Sequence, residues 1–544
     1  MKRMSKLACW LILAPLLSGN SFAMQDSEVG IVPRPVKMER LHGSFAISSQ
    51  TRITSNSPEL KDVGDYLSGI MLEETGLRLA HERANAGMAR AIHLEIDPSH
   101  PELGVEGYLL HSSPEGVTIT ASRPAGVFYG IQTLRQLFPQ NVQGAGQGLQ
   151  IPCVRVTDYP RFTWRGILVD PARNFRTMAE LKRDIDLLAF QKLNVLHLHL
   201  TDDEGWRIEI KRYPELTRVG SKVRDASGWT GDGWFYSQED IKELVRYAES
   251  RFVTLLPEIE MPGHSLGATT SYPWLACHDS SAYELCASKE STFEFCCNVL
   301  DEVMALFPSP YIHVGADEVR PGTWRACPGC SAKMDQLAQA GLPGNVKPVR
   351  VPVTSGAGRP FAEDTGRLQG WFIRRIDQHI ASAGKRMIGW DEILEGGLPD
   401  ESRAAVMAWR DTEATTLATA RGRNVAVCLY PEYYISAHGS FTQKTCYEYE
   451  PVPAGASDEQ KGLILGIQGA VWGGEWAATQ EQIEKALVPG ACALAEAAWT
   501  PLALKDFADF SARVPPFLQR LLSRPGVNQG PGVGSSGSSP QMQK

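Results

Sequence analysis

Residues 311–322, YIHVGADEVRPG, open as a short apolar run suited to a buried strand and close on a Pro-Gly breaker. Between the two stand adjacent acids, Asp317 and Glu318. Neighbouring carboxylates repel when both ionise, and burial raises that cost. A chain that spends this cost where a strand runs out is placing chemistry at the strand's carboxyl end.

Seven further runs of the same kind surround this one. GILVD, NVLHLHL and FVTLLPEI precede it, and RMIGW, AAVMAW, NVAVCLY and LILGIQGAVW follow. Amphipathic helical segments lie between several of them. Thr177, with Glu180 three residues on, marks a helix start, and Leu181, Ile185 and Leu188 form its apolar stripe. Ser237 and Asp240 repeat the arrangement ahead of Ile241, Leu244, Val245 and Ala248. Eight such repeats in about 350 residues predict an α/β fold, a (β/α)8 TIM barrel with loop insertions over residues 158–520. A doubly wound sheet would need a phosphate-binding glycine loop, which the sequence lacks.

Residues 24–157 predict a small α+β domain ahead of the barrel. GYLLHSS and GVTITAS alternate around Pro114-Glu115-Gly116, a hairpin signal, and GSFAISS and AIHLEID supply further strands. AGVFYGIQTLRQLF predicts a helix with Val127, Ile131, Leu134 and Leu137 on one side. No acids, histidines or glycine fingerprint concentrate here, so the expected role is structural. Residues 521–544 are rich in Gly, Ser and Pro and predict a flexible tail.

At the other end, Lys2, Arg3 and Lys6 precede the apolar run Leu7–Leu17, and Ser21-Phe22-Ala23 offers small residues at a cleavage site. Residues 1–23 therefore predict a cleaved export signal, with a mature chain starting near Met24 and a periplasmic or secreted destination. The apolar core is too short for a membrane span, and no later segment is long enough. The chain has 544 residues, 43% hydrophobic and 21% charged, and its 54 Lys and Arg against 62 Asp and Glu leave a net charge of −8. With no basic patch above that acidic background, nucleic acid is not an expected partner.

Ten cysteines lie beyond the leader, and export permits disulfides. Cys277 with Cys286, or Cys327 with Cys330, would close a short loop. The CPGC stretch resembles half a zinc site, but no second CxxC completes it, so a local staple or plain buried thiols are expected.

In a parallel barrel the active site lies at the carboxyl ends of the strands. Asp170 and Arg173 fall at the first, His199, Asp202 and Asp203 at the second, and Glu258, Glu260 and His264 at the third. Asp317 and Glu318 fall at the fourth. Trp390, Trp409 and Trp472 end the fifth, sixth and eighth, and tyrosines follow the seventh. Carboxylates, an arginine and aromatic walls converging on one face suit a sugar. A different chemistry competes: strand alternation puts His197 and His199 on one face, where with His264 and an aspartate they would hold a metal, as in barrel-type metal-dependent hydrolases. That arrangement leaves the acid pair and the tryptophans without a role. A sugar-binding protein without catalysis would need the aromatics but not the buried acid pair.

At these residues the chain resembles glycoside hydrolase family 20, the exo-acting β-N-acetylhexosaminidases. HVGADE matches the family's His-x-Gly-x-Asp-Glu element, and RGILVDPARNF, LNVLHLHLTDDEGWRIEI, LLPEIEMPGH, GWDE and AEAAWT extend the match. The resemblance implies a retaining exo-hydrolase acting on terminal β-linked N-acetylglucosamine or N-acetylgalactosamine of oligosaccharides or glycans, with neither cofactor nor metal. A lacto-N-biosidase-like member of the family is the alternative. It implies that the substrate's own 2-acetamido oxygen is the nucleophile and an oxazolinium ion the intermediate. Glu318 would be general acid and base, and Asp317 the group that holds the acetamide, with the pKa of Asp317 low and that of Glu318 raised. Asp202 and His264 would tune the acid, and Arg173 would bind sugar hydroxyls. Trp390, Trp409 and Trp472 would box the acetamide methyl, and Tyr434, beside Tyr433, would donate to its oxygen. His313 would fix the strand end. Two places depart from the family pattern: WGGEW carries an extra glycine before Glu475, the expected sugar ligand, and Ser436 stands where an acid near the sugar's O6 is usual.

Overall fold

Alternating burial over residues 30–158 gives a sheet with one face toward a core. The computed structural model describes residues 30–83, 89–139, 149–222, 233–278, 282–342, 363–436, 441–474 and 480–522. The leader, Glu475 and all but the first two residues of the tail lie outside them. Seven strands, β1 (Lys37–Ile47), β2 (Arg52–Ser55), β3 (His81–Arg83), β4 (Ala91–Ile96), β5 (Tyr108–Ser113), β6 (Gly116–Ala121) and β7 (Leu149–Asp158), form one mixed sheet in the order β1-β7-β5-β6-β4-β2-β3. The expected hairpin is β5–β6, paired from Tyr108 with Ala121 to Ser113 with Gly116, so Pro114-Glu115 is its two-residue turn.

Helix Pro124–Gln136 corrects the expectation of a one-sided stripe. Val127, Ile131 and Leu134 are buried as expected, but so are Phe128, Tyr129, Gln132, Arg135 and Gln136. The second face is covered by the barrel: the Phe128 ring lies 5.0 Å from that of Phe252, and the Tyr129 ring 5.3 Å from that of Trp499. A helix between two layers needs no polar face.

The barrel closes through eight parallel strands in chain order: β8 (Trp164–Val169), β9 (Val195–His199), β10 (Thr254–Glu258), β11 (Tyr311–His313), β12 (Arg386–Trp390), β13 (Ala405–Ala408), β14 (Val425–Val427) and β15 (Ile464–Val471). All eight expected runs are present. Helices Met178–Phe190 and Gln238–Glu249 begin at capping boxes on Thr177/Glu180 and Ser237/Asp240. No helix of the described residues is long and apolar enough to cross a membrane.

The sheet layer covers the amino-terminal end of the barrel strands through a buried polar knot. Asp158, at the end of β7, accepts hydrogen bonds from Tyr108 Oη at 2.6 Å, Lys192 Nζ at 2.7 Å, Trp499 Nε1 at 2.8 Å and the Val36 amide at 3.1 Å. Burial lowers the pKa of Lys192 and Asp158 pulls it back up. Beside it, Arg165 donates to both oxygens of Glu106, at 2.8 and 2.9 Å.

The ten described cysteines are free thiols. The expected local pairs, Cys277–Cys286 and Cys327–Cys330, do not form. The two loops instead bring all four sulfurs together, within 4.8 Å of one another, so the missing partner of CPGC comes from a distant, non-CxxC pair.

Removing the Asp158 carboxylate strands a buried ammonium. Asp158→Ala is expected to cost about 3–5 kcal/mol, read as a lowered urea midpoint. An unchanged midpoint would show that the knot is not what joins the layers.

Candidate active site

The carboxyl ends of the strands open on the face away from the sheet layer, and there the acids and bases alternate in sign. At the centre is Glu258, the last residue of β10, fully buried. Its carboxylate lies 2.5 Å from His199 Nδ1, 2.7 Å from His313 Nδ1 and 3.2 Å from His197 Nε2, and it accepts a 3.0 Å hydrogen bond from Trp390 Nε1. Burial alone would raise its pKa, but the three imidazoles hold it well below the ordinary carboxylate value.

His199 passes the charge outward. Its Nε2 lies 2.8 Å from Asp202 Oδ2. Burial opposes its protonation, but Glu258 and Asp202 push its pKa up to about 10, so it sits as a cation between two anions. His197 is held at about 4 by burial, and its Nδ1 meets Gln468 Nε2 at 2.9 Å. Strand alternation does place both histidines on one face, as expected. The ring nitrogens of His199 both face carboxylates, Glu258 and Asp202.

Asp202 is shared. His264 Nδ1 is 3.0 Å from its Oδ1, and Arg173 donates to its Oδ2 at 2.5 Å. Burial would raise its pKa, but Arg173 and His264 hold it well below the usual range. Arg173 also donates to Asp170 Oδ2 at 2.9 Å, and its guanidinium lies 5.5 Å from the Trp472 ring. Against the pull of burial, Asp202 raises His264 well above the ordinary imidazole value. The resulting imidazolium faces the acid pair, with Nε2 at 3.6 Å from Glu318 Oε2 and 3.8 Å from Asp317 Oδ2.

The split between the paired acids is the reverse of the expected one. Burial pushes Asp317 up to about 7, and the neighbouring charges of Glu318 and Glu258 add to the push. Its Oδ1 is buried with no hydrogen-bond partner among the described residues. Glu318 is lowered: burial works against this, but it is the more exposed of the two, and His264 and Arg173 favour its charge. The expected order presupposes a sugar in the pocket, which would cover the one and hydrogen-bond the other.

The backbone here is unusual. His264, Ala316 and Glu318 have φ of 46°, 74° and 47°, a left-handed conformation that costs a non-glycine residue about 1–3 kcal/mol. Gly315 cannot be replaced freely, since φ is +64° and a Cβ would lie 1.7 Å from Glu260 Oε2. Glu260 was expected only as a strand-end acid. Burial raises its pKa well above the usual value, with Asp317 and Glu258 adding to it.

Beside the acids stands an aromatic box. The Trp390 ring lies 5.9 Å from Trp472 and 6.5 Å from Trp409, and Tyr434 packs 6.3 Å from Trp409 and 6.2 Å from Trp472. Tyr433 points elsewhere, 5.6 Å from the ring of Tyr449, so the two adjacent tyrosines are separated by geometry. Trp409 is fixed by Asp391 and Glu392, which accept from its amide at 2.8 Å and its Nε1 at 3.0 Å. Arg410, with Asp391 and Glu395, completes a buried support that sequence reading missed; the acids of GWDE were its only local sign. Ser436 Oγ accepts the Trp472 amide at 2.9 Å, anchoring the box rather than standing idle. Asp317, Glu318, Asp202, His264, Arg173, Trp390, Trp409, Tyr434 and Trp472 are thus brought together, and Glu475 lies outside the described residues.

The chain matches two family models, "Glycosyl hydrolase family 20, catalytic domain" over residues 162–502 and "Glycosyl hydrolase family 20, domain 2" over residues 28–159. It is 35% identical to a β-hexosaminidase of Porphyromonas gingivalis, over 94% of this chain and 67% of the relative. It is 30% identical to a β-N-acetylhexosaminidase of Cellulomonas fimi, over 93% of this chain and 99% of the relative. Among solved structures it resembles a family 20 exo-β-N-acetylglucosaminidase of Vibrio harveyi in complex with N-acetylglucosamine. The TM-score is 0.78 at 28% identity, covering 94% of this chain and 80% of that one.

Proposed function

The chain belongs to glycosyl hydrolase family 20 and is a glycoside hydrolase of the β-N-acetylhexosaminidase type, and from that premise we propose how its site works. The enzyme removes terminal β-linked N-acetylglucosamine or N-acetylgalactosamine from oligosaccharides and glycans, with the substrate's acetamide oxygen as nucleophile. The observation that carries this reading is the adjacency of Asp317 and Glu318 under the His264 imidazolium, beside the aromatic box. Two carboxyls on consecutive residues cannot straddle a glycosidic bond as a separate acid and nucleophile do. They can serve neighbouring atoms of one sugar: Glu318 the glycosidic oxygen, Asp317 the acetamide N–H.

In the free enzyme Asp317 is the acid nearer to carrying a proton. An acetamide N–H donated to it favours its charged form, and a sugar ring covering Glu318 strips water from a group already losing its lead. Binding therefore inverts the order and leaves the proton on Glu318. Glu318 then protonates the leaving oxygen while Asp317 orients the acetamide and stabilises the oxazolinium charge. In the second step Glu318 takes a proton from the attacking water. Tyr434 donates to the acetamide oxygen, the tryptophans exclude water from its methyl, and Arg173 holds sugar hydroxyls.

We extend the proposal to location: the Lys2/Arg3/Lys6 leader with its apolar core exports the enzyme to the periplasm or beyond. Amino-terminal sequencing of protein from the native host is expected to begin near Met24; a chain that keeps residues 1–23 would refute export by cleavage.

Glu318→Gln is expected to slow substrates with poor leaving groups by about 10²–10⁴-fold and activated aryl glycosides far less, because the latter need little protonation. Asp317→Asn is expected to slow both, by about 10²–10³-fold. Equal losses on both substrate types for Glu318→Gln would remove its role as acid.

The pH dependence follows from Asp317. The pair enters the reaction with one proton, which in the free enzyme sits on Asp317, raised to about 7, and passes to Glu318 on binding. The free-enzyme profile, kcat/KM, is expected to fall as pH rises through about 7, where that proton is lost, and Asp317→Asn to move that limb to lower pH, since Glu318 must then carry its own proton. A limb that Asp317→Asn leaves in place would show that the proton is not held on Asp317 in the free enzyme.

A further inference from the structure

The four gathered cysteines take no part in the reaction. Cys277 and Cys286 belong to the long β10 loop, downstream of His264; Cys327 and Cys330 belong to the β11 loop, downstream of Glu318. Cys330 Sγ lies 3.8 Å from Cys277 Sγ and 3.7 Å from Cys286 Sγ. A disulfide would need about 2.05 Å between sulfurs. One ion bound to four thiolates at about 2.3 Å in a tetrahedron sets neighbouring sulfurs about 3.8 Å apart. The two Cys330 spacings match that tetrahedron, and all four sulfurs lie within 4.8 Å of one another.

The surroundings suit four thiolates. Cys286, Cys327 and Cys330 are buried and Cys277 is partly exposed, giving an enclosed site with one open side. Ser288 Oγ lies 3.3 Å from Cys286 Sγ and 3.5 Å from Cys330 Sγ, in position to donate to thiolate sulfur and orient it. Gly329 of CPGC permits this approach, since a Cβ there would meet Ser288 Oγ at 2.7 Å. Cys330 sits in the first turn of helix Pro328–Gln339, whose dipole favours a negative sulfur. Lys289 donates to the carbonyls of Trp274 and Ala276, at 2.9 and 2.7 Å, and brings positive charge to the backbone beside Cys277.

We propose that Cys277, Cys286, Cys327 and Cys330 bind one zinc ion in a closed structural site that clasps the β10 loop to the β11 loop. Binding displaces the four thiol protons to solvent and forms four Zn–S bonds. The clasp ends a seam already begun by protein contacts: Glu284 accepts from the Arg320 amide and from Thr323 Oγ1, each at 3.0 Å, and Trp324 Nε1 donates to Leu285 O at 3.0 Å. These are the loops that carry His264 on one side and Asp317 and Glu318 on the other. The ion's work is therefore to hold His264 opposite the acids. With every ligand a thiolate it has no open position for water and takes no part in hydrolysis.

Full-length enzyme purified without a metal-binding tag, under reducing conditions, is expected to contain about one zinc per chain by elemental mass spectrometry. The double variant Cys327→Ser, Cys330→Ser is expected to lose that zinc and to melt several degrees lower. Exchange of the wild type into cobalt(II) is expected to give thiolate charge-transfer bands and the intense ligand-field bands of a tetrahedral site. Should the variant not fold, the wild-type metal content and cobalt spectrum decide alone. Wild-type protein without stoichiometric zinc whose four thiols react freely in the native state would overturn the proposal. So would an intact mass and peptide map placing a disulfide among the four.

Discussion

A carboxylate with no access to water has to be neutralised where it stands, and Glu258 meets that constraint at the centre of the barrel. Three histidines from β9 and β11 and the Trp390 indole from β12 surround it, so four successive strands meet on one anion. The charges then alternate outward: Glu258 negative, His199 positive, Asp202 negative, His264 positive, and finally the two acids that face the pocket. Each member is buried against a partner of opposite sign, the condition under which buried charge is tolerated. Loss of any one leaves its neighbours uncompensated, so the chain behaves as a unit rather than as a set of pairs.

The same alternation accounts for the strained backbone at the rim. His264 and Glu318 adopt left-handed conformations at the ends of two strands, with their side chains turned toward this line of charge, and Ala316 beside them shares that conformation. Gly315 adds the one place where a bare backbone lets the Glu260 carboxyl lie flat against the strand. Three of the six left-handed non-glycine residues among the described ones fall at this rim, and the packed strands below it supply the stability that offsets the strain.

How much of this could be seen in the sequence depended on range. The eight barrel strands, the Thr177 and Ser237 helix starts and the β5–β6 hairpin are local patterns, and each appears where its residues predict it. The strand-end acids and tryptophans were also legible, because a barrel fixes which end of a strand carries chemistry. What escaped was pairing across the chain. Nothing near Glu258 says that three histidines from two other strands will surround it, and CPGC gives no sign of Cys277 and Cys286 some fifty residues earlier. Asp158 and Lys192 are 34 residues apart and look unremarkable alone. The order of the paired acids escaped for a different reason: it depends on burial, which raises Asp317 and leaves its Oδ1 with no hydrogen-bond partner among the described residues.

The knot beneath the barrel bears on how this protein can be divided. Asp158 belongs to the sheet layer, whereas Lys192 and Trp499, which it neutralises and anchors, belong to the first and last repeats of the barrel. A gene fragment encoding the barrel alone would therefore leave Lys192 without its counter-ion and uncover the apolar floor on which helix Pro124–Gln136 rests. The two segments are thus one folding unit, even though the chemistry occupies only one half of it.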